Sequence, residues 1–304
     1  MSKAKLAIAL GVLSIATVAW AVPTKGIAQQ RVQRLRTEIV APIRLRDERD
    51  RGLLAQGWIN GAGPFVFVID TGAGVSLMSR SVIERAGLQV TRSQRSLVGG
   101  LTTAPITSNQ ETRIASLALG ERNNNVPGSF AAAVVATLPG SIDGVLDPTD
   151  VFRPFGYSVD LPRRELRVFD PASQPLRLTN VPREGAVVRW VRQAGSDRPF
   201  VRLGDGRLAL LDTGSSFGLA LSDARAIAGS NHSTTHDLGG GTVQSRQVKP
   251  QTVNVGALVL NGVPTDVLLG SAPGTPIILG RRALFPFKIS FDPVSKLISF
   301  EPTE

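Results

Sequence analysis

The chain has 304 residues, 42% hydrophobic and 19% charged, a composition typical of a folded globular protein. It contains no cysteine, which excludes disulfides, thiolate metal sites and thiol nucleophiles, and it has only two histidines. The net charge of +10 is compatible with nucleic-acid binding, but the arginines are scattered and lack interleaved aromatic residues, so no nucleic-acid partner is expected. Any catalysis is therefore expected to use carboxylates, hydroxyls and backbone groups.

The amino terminus has the pattern of a bacterial export signal. Two lysines precede an uncharged run over residues 6–22, and a small-x-small cleavage pattern ends at Ala21. We therefore expect a signal peptide over residues 1–21, a basic tether over residues 22–36, and a periplasmic or secreted protein. The uncharged run is marginal for spanning a bilayer core of about 30 Å, so a membrane anchor is the alternative if the signal is not cleaved.

The first half begins as a predicted β-hairpin whose second strand ends in an Asp-Thr-Gly tripeptide. The apolar run Phe65–Ile69 is typical of a buried strand, and Asp70-Thr71-Gly72 follows it directly. A short helix is predicted between Ser79 and Gly87, because a capping residue, apolar positions and a terminating glycine occur in that order. The proline-rich stretch over residues 172–185 is predicted to connect the two halves.

The second half repeats these features. Leu208–Leu211 leads into Asp212-Thr213-Gly214, and a second short helix is predicted over residues 222–228. The sequences that close the two halves also match, and the copies are offset by about 140 residues. We predict an all-β fold of two pseudo-twofold-related β-barrel lobes with a few short helices, an N-terminal lobe over residues 37–171 and a C-terminal lobe over residues 186–304.

A lone Asp-Thr-Gly after a strand is often only a turn, but two copies after matching strands indicate one shared site. If the lobes face each other about a pseudo-twofold axis, Asp70 and Asp212 converge. Because electrostatic repulsion opposes ionisation of both of two adjacent carboxyl groups, the two share one proton. One carboxyl is then a base and the other an acid, which is enough to activate a water and protonate a leaving amine without metal or cofactor.

The two motifs resemble those of the retropepsin-like aspartic proteases of bacteria, here in a bilobal form with both motifs in one chain. The resemblance extends from about residue 37 to 302 and rests on Asp70-Thr71-Gly72-Ala73, Asp212-Thr213-Gly214-Ser215 and Ile278-Leu279-Gly280. It implies an acid-protease-like fold and an endopeptidase that acts on a polypeptide, and we expect a monomer. It also implies that Thr71 and Thr213 join the two loops, and that the Ser215 hydroxyl bonds the outer oxygen of Asp212.

The resemblance further implies glycine-rich flaps that cover an extended substrate. The candidates are Val98, Gly99, Gly100 and Leu101 in the first half, and Leu238, Gly239, Gly240 and Gly241 in the second. The first half departs from the family pattern at Asp147-Pro148, where an acidic side chain replaces the glycine expected to pack behind the Asp70 loop. This departure leaves open a catalytically impaired peptide-binding module on the same fold.

Two other motifs point to different chemistry. The segment Gly214–Gly218 fits G-x-S-x-G, and Asp223 with His236 completes the chain order of an α/β-hydrolase triad, but that fold needs long helices which the sequence lacks. His232 and His236 have the spacing of a metal-binding pair on a helix. The polar and glycine residues around them predict a loop instead, so we expect no metal site.

Overall fold

The computed structural model describes residues 39–48, 51–99, 106–193, 196–222, 232–236, 242–271 and 274–303, and β-strands make up most of these described residues. The predicted signal peptide and tether lie outside these ranges. The described residues belong to one compact unit, Thr37–Glu304. The predicted boundaries of the two lobes and of their connection stay predictions.

The strands within the described residues are, in chain order, β1 (Ile43–Arg44), β2 (Arg46–Glu48), β3 (Gly52–Ile59), β4 (Ala62–Ile69), β5 (Ser76–Ser79), β6 (Val90–Gly99), β7 (Ile106–Ile114), β8 (Leu117–Leu119), β9 (Asn125–Val126), β10 (Phe130–Val135), β11 (Gly144–Leu146), β12 (Gly156–Asp160), β13 (Glu165–Phe169), β14 (Ala186–Arg189), β15 (Val191–Gln193), β16 (Ser196–Arg202), β17 (Leu208–Asp212), β18 (Leu219–Ser222), β19 (His232–His236), β20 (Thr242–Val255), β21 (Leu258–Leu269), β22 (Ile277–Gly280), β23 (Phe287–Asp292) and β24 (Leu297–Pro302). The helices within the same residues are α1 (Arg80–Arg85), α2 (Pro148–Val151) and α3 (Arg281–Leu284). The predicted all-β, acid-protease-like fold with a few short helices is therefore confirmed.

Two of the sheets repeat the same strand order, one in each half of the chain. The first contains β6-β7-β10-β5-β11-β4-β3, and the second contains β19-β20-β21-β18-β22-β17-β16. In each sheet the strand that leads into Asp-Thr-Gly pairs in parallel with a strand from the end of the same half, β4 with β11 and β17 with β22. The repeat inferred from sequence is therefore also a repeat of topology.

A third sheet joins the closing strands of the two halves. Its order is β1-β13-β12-β23-β24-β14, so each half contributes three strands in mirrored order around the antiparallel pair β12 and β23. Tyr157 on β12 and Phe291 on β23 are fully buried and stack with ring centroids 4.8 Å apart. Burying one such ring contributes roughly 1.5–3 kcal/mol, so this contact between the halves stabilises the frame that carries both Asp-Thr-Gly loops.

Local sequence explains how β4 and α1 form in the first half. Asn60 and Gly61 have φ values of 50° and 78°, the left-handed pair that joins two strands in a tight type I′ turn. Helix α1 follows Ser79, buries Val82 and Ile83, and ends before Gly87, whose φ is 63°. The predicted first helix is therefore confirmed, whereas most of the second, over residues 222–228, lies outside the described residues.

One local prediction is wrong. Residues His232–His236 form β19 and not a loop, because their backbone pairs antiparallel with β20 over the whole segment, from His232 opposite Arg246 to His236 opposite Thr242. The two β-branched threonines, Thr234 and Thr235, suit such a strand at the edge of a sheet. In the part of the chain that the structure describes, no helix is long and apolar enough to cross a membrane.

Candidate active site

The two Asp-Thr-Gly loops meet, and their carboxyl groups lie side by side. Asp70 directly follows β4, Asp212 ends β17, and their side chains are hydrogen-bonded to each other. A Cβ added to Gly72 would lie 2.6 Å from Cγ of Asp212, and one added to Gly214 would lie 2.5 Å from Cγ of Asp70. Each glycine therefore packs against the carboxyl of the opposite loop, and a side chain at either position would displace it.

Two threonines join the loops through four crossed hydrogen bonds. The Thr71 hydroxyl donates to the Leu211 carbonyl at 2.7 Å and accepts from the Thr213 N–H at 3.0 Å. The Thr213 hydroxyl donates to the Ile69 carbonyl at 3.1 Å and accepts from the Thr71 N–H at 3.1 Å. Both side chains are fully buried, so every polar group in this arrangement is paired and the separation of the two loops is fixed.

Backbone groups also hold each aspartate. Gly72 N–H donates to Asp70 Oδ1 at 2.8 Å, and Ser215 N–H donates to Asp212 Oδ1 at 2.9 Å. The expected bond from the Ser215 hydroxyl to Asp212 is replaced by this backbone bond, because the Ser215 hydroxyl turns to accept from the Phe217 N–H at 3.3 Å. The Ala73 and Ser215 N–H groups also donate to the carbonyl oxygens of Asp70 and Asp212 at 3.4 and 3.3 Å, so these two residues hold similar backbone positions despite their different side chains.

The electrostatics of the pair place the shared proton on Asp70. Burial, followed by the nearby charge of Asp212, raises the pKa of Asp70 well above its ordinary value. Burial also raises the pKa of Asp212, but the hydrogen bonds it accepts from Asp70, Ser215 and Gly214 lower it again. Because these bonds favour the ionised form, Asp212 carries the charge and the protonated Asp70 donates to it. The two titration steps belong to the pair.

The strand that packs behind each loop ends differently in the two halves. Behind Asp212, a Cβ on Gly280 would lie 2.5 Å from the carbonyl oxygen of Phe217, so glycine is required there. Behind Asp70, the Leu146 carbonyl accepts the Asp70 N–H at 3.0 Å, and Asp147 takes the position that corresponds to Gly280. The Asp70 loop therefore keeps its backbone support although the family glycine is missing.

Asp147 fits this position because it begins α2. Its backbone is extended, its Oδ1 accepts from the Thr149 N–H at 2.9 Å, and Pro148 takes the first helical position, where no N–H is needed. The Asp147 N–H is bonded to the Ser76 hydroxyl at 3.1 Å. The sequence change that raised doubt about the first half is thus a helix start with all its backbone groups paired.

Arg281 and Arg198 are site residues that sequence reasoning missed. The Arg281 side chain is buried, and its Nη1 donates to the Thr213 and Gly214 carbonyls at 3.1 and 3.0 Å. These bonds stabilise the backbone of the loop that carries Asp212. Arg198 from β16 packs across the halves against Gly74, where an added Cβ would lie 3.0 Å from its Cγ. The sequence signal for Arg281 was its place directly after the apolar segment Ile277–Gly280, and its burial is seen only in the structure.

The predicted flap residues are described only in part. Val98 and Gly99 end β6, whereas Gly100, Leu101 and residues 238–241 lie outside the described residues. Asp223 of the alternative hydrolase triad also lies outside them. Among the residues that the structure describes, no group of three or more His, Asp or Glu side chains is arranged to bind a metal.

Comparison with known families agrees with this geometry. The family model described as an aspartyl protease matches residues 55–146, which include most of β3, the Asp70 loop and β11. A search of curated proteins gives no significant match. The family match confirms the resemblance seen in the sequence over the segment that carries the first Asp-Thr-Gly loop.

Proposed function

We propose that this protein is an exported, monomeric aspartic endopeptidase that hydrolyses peptide bonds with a water activated between Asp70 and Asp212. The family relationship supports protease activity in general. The observation that carries the finer proposal is the hydrogen-bonded Asp70–Asp212 pair, fixed by the crossed threonine bonds and by one glycine against each carboxyl. The pair shares one proton and is held in a fixed position, so it supplies the one acid and the one base that the reaction needs.

In the proposed reaction the ionised Asp212 accepts a proton from the water, and the water oxygen bonds to the carbonyl carbon of the peptide. The proton of Asp70 passes to the carbonyl oxygen, which gives a neutral tetrahedral diol. The C–N bond then breaks, the leaving nitrogen takes the proton held by Asp212, and one diol hydroxyl returns its proton to Asp70. Each carboxyl ends in its starting state, so the enzyme needs no other acid or base.

The same proposal includes how the polypeptide substrate binds and in which cellular compartment the protein acts. An extended polypeptide would lie over the pair, covered by the segments at residues 98–101 and 238–241. The signal pattern over residues 1–21 would direct the protein to the periplasm or outside the cell.

Proteolysis of an unfolded peptide library tests the function. Asp70→Asn and Asp212→Asn should each lower kcat/KM by about 1,000-fold or more, because either change removes the acid or the base while preserving shape. Asp205→Asn is the matched control, since Asp205 lies in an exposed turn paired with Arg207 and the variant makes the same change in charge. Similar activity in all four proteins would contradict the proposal, whereas peptide binding without cleavage would favour the binding module.

A further inference from the structure

A third carboxyl, that of Asp147, is buried behind the Asp70 loop and has no part in the proposed reaction. Only 2% of the residue is exposed, and it follows Leu146, whose carbonyl holds the Asp70 N–H. A helix start needs only a capping oxygen, which Ser or Asn supplies without a charge. A buried ionisable group is therefore more than the local fold requires, and its charge is felt at Asp70.

The groups around Asp147 are few and mostly neutral or acidic. On α2, Asp150 adds a second negative charge. Arg153, just after the helix, forms ion pairs with Asp150 at 3.5 Å and with Asp197 of β16 at 2.8 Å. On β12, the Tyr157 hydroxyl bonds Thr149 at 3.1 Å and is fully buried. On β5 the facing group is the Ser76 hydroxyl, and Asp70 itself lies on the remaining side.

The second half has the opposite arrangement at the equivalent place. Gly280 brings no charge, and the next residue, Arg281, places a buried cation against the loop that carries Asp212. The positive charge of Arg281 favours the ionised form of Asp212, whereas a negative charge on Asp147 opposes ionisation of Asp70. The two halves thus differ in the sign of the charge behind each aspartate.

We propose that Asp147 is a positioning residue that acts through Asp70: once ionised, it adds to the burial and the Asp212 charge that keep the shared proton on Asp70, and so extends peptidase activity to higher pH. This inference rests on the proposed function and deepens it. Asp147 is buried behind the loop and is not one of the groups proposed to act on the substrate or the water. Its ionised carboxylate acts on Asp70 electrostatically, from behind the loop that carries Asp70.

The order of ionisation gives the sign of the effect. Burial, followed by the charge of Asp150, raises the pKa of Asp147 to about 7. Below that pH Asp147 is neutral and exerts no charge on the pair. Above it Asp147 is ionised and opposes loss of the Asp70 proton, whose pKa is raised in part by this charge. Without the charge, the shared proton is lost at lower pH, and the alkaline limb of the activity profile moves toward acid.

The test uses the full chain with Asp147→Asn, because Asn accepts the Thr149 N–H as Asp does and preserves the helix start. Asp147→Ser is the second variant in case the first does not fold, and Asp205→Asn is the control for net charge. Carboxyl ¹³C titration of aspartate-labelled protein follows the pair directly, with Asp70→Asn identifying its signals. The pH profile of kcat/KM is measured in parallel on a peptide substrate.

We expect the upper titration step of the pair to move to lower pH in Asp147→Asn and Asp147→Ser, and not in the control. The ratio of kcat/KM at about pH 8 to that at about pH 6 should fall by about threefold or more. An unchanged upper step would overturn the inference whether or not the protein cleaves peptides. A wild type that cleaves nothing would instead refute the proposed function, while the titration would still decide whether Asp147 controls the Asp70 proton.

Discussion

The two halves of the molecule match at the reciprocal contacts between their Asp-Thr-Gly loops and differ in the residues that lie behind those loops. Across the pseudo-twofold axis, Thr71 mirrors Thr213 in the crossed hydrogen bonds, and Gly72 mirrors Gly214 in its packing against the opposite carboxyl. Behind the loops, the first half places Asp147 and Pro148 where the second places Gly280 and Arg281.

The reason for this difference lies in the contacts themselves. A residue that bonds its own counterpart cannot change alone, because the other half would lose a partner for a buried polar group. Asp147 and Gly280, behind the loops, do not bond each other, so either can differ provided that the backbone of its loop stays paired. The geometry of the aspartate pair therefore depends on the symmetric residues, and its distribution of charge depends on the asymmetric ones.

The largest effect is expected from breaking the symmetric contacts. Gly72→Ala should displace the Asp212 carboxyl and Gly214→Ala the Asp70 carboxyl, because each new Cβ would lie well under 3 Å from the opposite side chain. Each variant should lower kcat/KM by about 100-fold or more, the cost typical of a misplaced catalytic group. The measurement is peptide cleavage, with circular dichroism to verify the fold.

Equal losses in these two glycine variants would support the mirrored contacts. Near wild-type activity in one variant would show that the substituted glycine does not pack against the carboxyl of the opposite loop. The two halves would then not be equivalent at these glycines.

A smaller and unequal effect is expected behind the loops. Gly280→Ala should lower the free energy of unfolding by about 2–3 kcal/mol, since its Cβ would press on the Phe217 carbonyl at 2.5 Å, which is backbone and cannot move freely. Asp147→Ala should cost only about 1 kcal/mol, the value of a lost helix cap. Urea unfolding at about pH 3 compares them, because Asp147 is then largely protonated in both the folded and the unfolded state, and its charge does not enter. Equal costs would mean that the two positions are packed alike.

Much of this comparison could be read from the sequence, because it depends on repetition. Two apolar strands that end in Asp-Thr-Gly, with matching closing segments, were enough to predict the all-β fold and the meeting of Asp70 with Asp212. The Ser79–Gly87 helix was equally predictable, since its start, buried face and end are all local signals.

The remaining features depend on contacts that local sequence does not encode. His232–His236 forms a strand because β20 is available to pair with it, which no pattern within five residues reveals. Asp147 was read as a possible defect, since its role as a helix start needs the position of Thr149 in space. Arg281 points back into the fold at the Thr213 carbonyl, a direction that only the packed structure determines.

The smallest effect is expected where the two halves differ by one hydroxyl, at Ala73 and Ser215. The family resemblance implies that the serine bonds Asp212, in which case Ser215→Ala would move the acidic limb of the activity profile upward. In the structure the Ser215 backbone N–H makes that bond, and alanine keeps it. We therefore expect the acidic limb to move by less than about 0.3 pH units, since no bond to either protonation state of the pair is lost. The lost acceptor of the Phe217 N–H should cost only about 0.5–1 kcal/mol of stability, because that bond is long. A clear upward shift of the acidic limb, measured on kcat/KM, would mean that the hydroxyl turns to Asp212 in the working enzyme and adds to the backbone bonds that already favour its ionised form.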